Sequence, residues 1–280
     1  MWFFGRGPVV PVLRFSGPIG MATPLRPGLS IGQAASAIEK AFELSKIPAV
    51  AVVVNSPGGS PVQSSLIFRR IRQLAEEKEK TVYVFCEDVA ASGGYYLALA
   101  GDEIYADPSS IIGSIGVIFA GFGLDKAIAK LGIERRVYTA GEQKDALDPF
   151  RPEKPEDIER IKSVQRDVHD VFIGIVKERR AGRLAGADAE LFSGAFWSGP
   201  KALELGLIDG ISDVRTKMRE LYGDKVRLRV VPLEKGGLLG RLRRSSSAAG
   251  YEDLRSGRLA FGEDLISAVE ARSLWSRFGL

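Results

Sequence analysis

The sequence predicts an α/β fold built on a parallel β-sheet. Residues 49–54, AVAVVV, form a short, wholly apolar and β-branched run, the pattern of a strand covered on both faces. Runs of this kind alternate with longer stretches of helical periodicity, an order that gives βαβ units with right-handed connections. At 280 residues, 45% hydrophobic and 26% charged, the chain is long enough for one large domain of this class or two small ones.

VVPVLRFSGPI (9–19) reads as a first strand and turn. SIGQAASAIEKAFELSK (30–46) follows as a helix, with Ser30 and Gln33 at capping-box spacing and Ile31, Ala35, Ile38 and Phe42 at helical intervals. After the strand 49–54, PVQSSLIFRRIRQLAEEKEK (61–80) is a helix that opens with Pro61 in its first turn and ends in a solvated charge run. TVYVFCE (81–87) is a strand, GGYYLALAG (93–101) a helix and EIYADP (103–108) a strand again. Residues 108–124 carry no charge, but Gly113, Gly116, Gly121 and Gly123 interrupt them, which predicts buried strand and turn rather than a membrane span. RVYTAG (136–141) is expected as a later strand, and 155–181 as a long helix. That helix presents Ile158, Ile161, Val164, Val168, Val171, Phe172 and Ile175 on one face. GPKALELGLIDGI (199–211) and a closing strand, KVRLRVVPL (225–233), complete a domain over residues 1–233.

Residues 234–280 differ in character. A Gly/Ser/Arg-rich linker, EKGGLLGRLRRSSSAAGYEDLRSGR, precedes an amphipathic helix in EDLISAVEARSLWSRFGL. Two roles are open for that helix: docking on the domain or on a neighbouring subunit, or peripheral contact with a membrane through its Trp, Phe and Leu beside arginines.

Composition narrows the function classes. The net charge is +4, with Lys and Arg scattered outside GRLRRSSS, which argues against a nucleic-acid partner. Cys86 is the sole cysteine and His169 the sole histidine, so neither an intrachain disulfide nor a His/Cys zinc cluster is available; no metal and no cofactor is expected. The N-terminal residues lack a signal-peptide pattern. The expected location is therefore cytoplasmic or peripheral to the inner membrane.

Two glycine-rich turns carry the candidate chemistry. Ser56-Pro57-Gly58-Gly59 follows the buried strand 49–54. It fits a tight turn and no more, or a loop whose N–H groups face an oxyanion at the carboxyl end of a parallel strand. Ser92, in EDVAASGGYYLALAGD, sits ahead of a helix, where serine is a common N-cap. It could equally be a nucleophile held at the helix start. A Ser-His-Asp triad would need His169, which lies inside the long helix, and AASGG departs from the G-x-S-x-G elbow at Ala90. A Ser-Lys dyad is the remaining variant, and composition cannot choose its lysine.

NSPGG, then ASGGYYLALAGDEIYADPSSIIGSIGV, then YTAGEQKDALDPF and WSGPKALELGLIDGI closely resemble the signal peptide peptidase A family of serine–lysine peptidases, in its short single-domain bacterial form. The likeness spans roughly residues 9–215. It implies the ClpP/crotonase spiral of ββα units with a parallel sheet. It also implies Ser92 as nucleophile, Lys144 as general base and Ser114 as the hydroxyl that orients the lysine. Gly59 and Gly93 match the oxyanion donors, with Gly58 beside them. The implied partners are peptide substrates, such as remnant signal peptides, and further copies of the chain in a ring or dome. Family members usually carry an N-terminal anchor, whereas here the first strand begins near residue 9.

A free lysine titrates near 10.4, so half-deprotonation at pH 7 costs about 4.6 kcal/mol, which full burial can supply. Glu142, Asp145 and Asp148 lie close to Lys144 in sequence and would oppose that. Either those acids are expected to point away from the amine or the site to be desolvated from beyond the local segment, and Lys144 is expected to become a competent base only on assembly. GGYYLALAGDEIYA also resembles the crotonases, which makes an acyl-CoA enzyme the alternative function, with a non-catalytic scaffold on the same fold as a third. Crotonases do not follow such a serine with a lysine some fifty residues on, and a decayed scaffold would be expected to have lost one of Ser92, Lys144 and Ser114.

Overall fold

The computed structural model describes residues 7–20, 28–141, 143–233, 269 and 272–280. The α/β class and the parallel sheet expected from the sequence are what it contains. Strand β1 (Val9–Ser16) is followed by α1 (Ile31–Glu43), β2 (Ala49–Ser56), α2 (Pro61–Glu77), β3 (Thr81–Ala91), α3 (Gly93–Ala98), β4 (Glu103–Ala106) and β5 (Ile111–Gly113). Then come α4 (Asp125–Lys130), α5 (Pro155–Arg179), α6 (Asp188–Leu191), β6 (Phe196–Ser198), α7 (Gly199–Glu204), β7 (Gly210–Ile211), α8 (Val214–Tyr222) and β8 (Arg227–Val230).

The sheet runs β6-β5-β3-β2-β1-β8, with β4 bridging β3 to β7. Every pairing is parallel except β5 with β6. β3 is the hinge of the architecture. Its first half pairs with β4 (Tyr83 opposite Glu103) and its last three residues with β5 (Val89 opposite Ile111). Between them the register with β2 shifts, from Val54 opposite Cys86 to Ser56 opposite Ala90. Extra residues on one strand bend it and sharpen its twist, so the end of β3 leaves the main sheet and delivers Ser92 to its rim.

Both sheet faces are covered, which is why β2 is apolar along most of its length. On one face, Val50, Val52 and Val54 pack with Ile38 and Phe42 of α1, Ile67 and Ile71 of α2 and Leu97 of α3. On the other, Ala51, Val53, Tyr83 and Phe85 pack with Met218 of α8. Fully burying a side chain of this size stabilises by about 1.5–3 kcal/mol, so the two layers fix which way each strand faces.

Several expectations need correction. The capping box at Ser30 does not form: its side chain makes no cap, and Gln63 of the neighbouring α2 accepts the Ile31 N–H at 3.0 Å instead. RVYTAG is not a strand. It lies on an exposed arm, 117–154, with no partner strand among the described residues, and an unpaired strand is not stable. Of the uncharged stretch 108–124, burial ends near Ile115, and Ile118, Phe119 and Phe122 are exposed. Only Phe172 and Val176 of α5 are buried, although a longer apolar stripe was expected. The proposed linker lies outside the described residues. The described end of the C-terminal helix docks on the domain, with Phe278 buried. No helix of the described residues is long and apolar enough to cross a membrane.

Candidate active site

Ser92 occupies the turn between β3 and α3 at φ 52° and ψ −121°, and its side chain makes no capping bond to the helix it precedes. Left-handed φ is uncommon for a residue with a Cβ. The backbone holds it there from both sides: the Ser92 N–H donates to the Gly113 carbonyl (2.8 Å), and the Ser92 carbonyl accepts from the Tyr96 N–H (2.9 Å). The hydroxyl is thus free of the cap role that its position suggested.

The Ser56–Gly59 turn packs directly against Ser92. Gly58, at φ 104°, has no room for a side chain: a Cβ there would stand 2.8 Å from the Ser92 Cβ and 2.9 Å from the Gly93 nitrogen. Gly59, at φ 140°, would drive a Cβ to 2.1 Å from the Ile19 carbonyl oxygen, because its loop is stitched to that segment. The Ile19 N–H donates to Gly58 and the Ser60 N–H donates to Ile19, both at 2.8 Å. A Cβ on Gly93 would meet the Gly59 nitrogen at 3.3 Å. Two backbone amides therefore sit side by side next to Ser92. Among the described residues, no hydrogen bond takes up either the Gly59 or the Gly93 N–H. Adjacent free amides at a helix start can hold a developing oxyanion.

Ser114 is buried at the end of β5, also at left-handed φ (50°), and its N–H donates to the Ala195 carbonyl at 2.7 Å. It belongs to the same rim as Ser92, since the Gly113 carbonyl accepts the Ser92 N–H. His169 takes part here in a way the sequence did not signal. Its ring Nε2 lies 3.1 Å from the Ile115 carbonyl, which can only accept, so Nε2 carries a proton. The histidine tethers the segment after Ser114 to α5.

Lys144 stands apart. It is exposed on the 117–154 arm, beside Ala140, Gly141 and Gln143, and among the described residues no hydrogen bond joins it to Ser92 or Ser114. The arm is braced within itself and against the start of α5. Arg151 pairs with Asp145, Arg135 pairs with Asp148 at 3.0 Å and lies over the Phe150 ring, and Asp157 accepts the Leu147 N–H at 3.4 Å. Two of the three acids expected to burden Lys144 are thus paired with arginines. The Phe150 N–H and the Arg135 guanidinium hold the Asp148 carboxyl below its usual range.

A separate cavity of about 610 Å³ opens at the carboxyl edge of the sheet between Arg14, Asn55, Glu87, Asp88 and Asp107. Its polar groups are partnered: Arg14 with Glu87 and Asn55 with Asp88, each at 2.6 Å. No group of three or more His, Cys, Asp or Glu among the described residues could hold a metal ion.

Comparison with known proteins gives this geometry a context. The pattern of peptidase family S49 matches residues 74–226, more than half of the chain. A putative protease of Synechocystis is 36% identical over 68% of the chain and 69% of its own length. A putative signal peptide peptidase SppA of Enterococcus faecium is 31% identical over 67% of the chain and 54% of its own. A Brucella abortus protein named Na(+)/H(+) antiporter NhaA is 53% identical over 97% of the chain. The chain spans only 37% of that protein's length, so most of the protein bearing that name lies outside the match.

Proposed function

This chain belongs to peptidase family S49, and from that premise we propose that it is a peptidase, a serine endopeptidase that works through a Ser92–Lys144 dyad. Neutral Lys144 takes the proton of the Ser92 hydroxyl as Oγ attacks the peptide carbonyl carbon. The Gly59 and Gly93 N–H groups receive the carbonyl oxygen as it becomes negative, and Gly58 keeps that turn against Ser92. When the tetrahedral species collapses, the C–N bond breaks and the leaving amine takes the proton back from Lys144. Water, deprotonated by the same lysine, then releases the acyl group from Ser92. Ser114 orients the lysine amine.

The observation that carries this reading is a single one. Ser92 is held at positive φ, and among the described residues its hydroxyl caps no helix and no hydrogen bond takes up the two amides beside it. Neither a helix cap nor a plain turn needs that combination.

Lys144 reaches Ser92 in this account from an adjacent copy of the chain. Three features favour that arrangement. Lys144 is exposed on an arm braced within itself and against the start of α5, and among the described residues no hydrogen bond joins it to Ser92. The arm displays Ile118, Phe119, Phe122 and Leu131, and α5 displays Val164 and Val171; large exposed apolar side chains gathered in this way mark interaction surfaces. Burial by a neighbour is also what favours a neutral amine. The substrates that fit are hydrophobic peptides, such as remnant signal peptides.

Peptide hydrolysis by wild type, Ser92→Ala and Lys144→Ala tests the dyad. Both variants are expected to lose at least about a thousandfold in kcat while staying folded. Wild-type turnover by Ser92→Ala would refute the assignment, and acyl-CoA turnover by such a variant would favour the crotonase alternative.

A further inference from the structure

The end of β3 has an apolar back face against which segment 272–280 packs. Along the first half of β3 that side of the sheet is closed by α8, through Met218. Beyond the register shift, Val89 and Ala91 face a different partner. Phe278 closes a small cluster with them, joined by Ile111 of β5 and Trp275. Phe278 also packs edge-on against Phe196 of β6, with ring centroids 5.2 Å apart at 74°.

Those contacts fall on the supports of the site. Val89 and Ala91 lead directly into Ser92 and pair with Ile111 and Gly113. Gly113 accepts the Ser92 N–H and pairs with Phe196, while the neighbouring Ala195 accepts the Ser114 N–H. β5 and β6 are three residues each and end the sheet, with β6 as its edge strand. Strands so short hold poorly without a packed face. We infer that segment 272–280 is a clamp: Trp275 and Phe278 are positioning residues that keep the ends of β3, β5 and β6, and so Ser92 and Ser114, in register. The effect on catalysis rests on the proposed role of Ser92; the effect on strand order does not.

The test compares full-length wild type, Ser92→Ala, Phe278→Leu and the double variant Trp275→Ala/Phe278→Ala, by peptide hydrolysis and amide hydrogen exchange. In the double variant, exchange at 89–92 and 111–114 should rise by about tenfold or more, with β1 and β2 unchanged. Its kcat should fall about tenfold at unchanged KM, as expected of a misplaced nucleophile. Phe278→Leu, which keeps an apolar group, should retain both wild-type values. The clamp is overturned by unaltered exchange in those two segments, by unaltered kcat alongside faster exchange, or by Phe278→Leu failing as the double variant does. If Ser92→Ala hydrolyses peptide at the wild-type rate, the nucleophile assignment fails instead, and the exchange comparison still decides whether the tail orders the strands.

Discussion

Ser92 carries a side chain where the backbone favours glycine, at a cost of about 1–3 kcal/mol. The same position is where a hydroxyl gains from the free amides of Gly59 and Gly93. Ser92→Gly is therefore expected to be more stable than Ser92→Ala by about 1 kcal/mol, with both inactive. Equal midpoints in urea would mean that the turn stores no strain. Cys86 provides a second residue-scale check. Burial pushes its thiol up to about 12, so near pH 8 it is both protonated and shielded. Iodoacetamide should leave the folded protein unlabelled and its hydrolysis intact; rapid loss of activity would instead point to a thiol in the chemistry. The residues of this site differ in how visible they are in sequence. The glycine clusters at Gly58, Gly59 and beside Ser92 mark where backbones approach closely, but they leave a plain turn and a helix cap open, and only the family resemblance gives those residues a role. His169 is not, since one histidine on a long helix says nothing about which carbonyl it will meet.

At the scale of elements, hydrophobic period predicted α1, α2 and β1 to β4 well, because covered strands and amphipathic helices write their burial into composition; it placed α5 but not its burial, since only Phe172 and Val176 are buried. β5 falls within 108–124, where buried strand and turn were expected without bounds, while β6 and β7 escaped, being three and two residues long and existing only through their partners. RVYTAG misled for the converse reason: β-branched and aromatic residues favour a strand only where a sheet edge is offered. Helix ends divided in the same way. Ser60 caps α2 through the Gln63 N–H, while the capping box at Ser30 lost to a side chain from another helix. Asp213 caps α8 and accepts from Arg215, Thr216 and the Thr216 hydroxyl. These bonds, the hydroxyl's foremost, hold its carboxyl below the usual value. A depressed folded value means that the stabilisation is complete above the ordinary value near 3.9 and fades as pH falls through the folded one. Asp213→Ala should thus cost about 1 kcal/mol at neutral pH and clearly less near pH 3, by urea unfolding. An equal loss at both would show that the carboxylate is not the cap.

For the whole molecule, one chain brings together Ser92, Ser114 and the three glycines but leaves Lys144 on an arm with its own bracing. A sequence records which residues a family's chemistry uses, and it is silent on whether they meet within one copy or between two. In the proposed account a second copy covers the exposed apolar side chains of α5, expected in sequence as one apolar face, and those of the arm, whose first residues were expected as buried strand and turn. Activity per chain should accordingly fall on dilution through the dissociation range. The most direct measurement is to mix separately inactive Ser92→Ala and Lys144→Ala chains, dissociate and reassemble them together, and assay peptide hydrolysis. Shared sites predict that activity returns in the mixture, because some sites pair an intact Ser92 from one chain with an intact Lys144 from another. A mixture that stays as inactive as its components, while wild type treated in the same way recovers, would contradict the account.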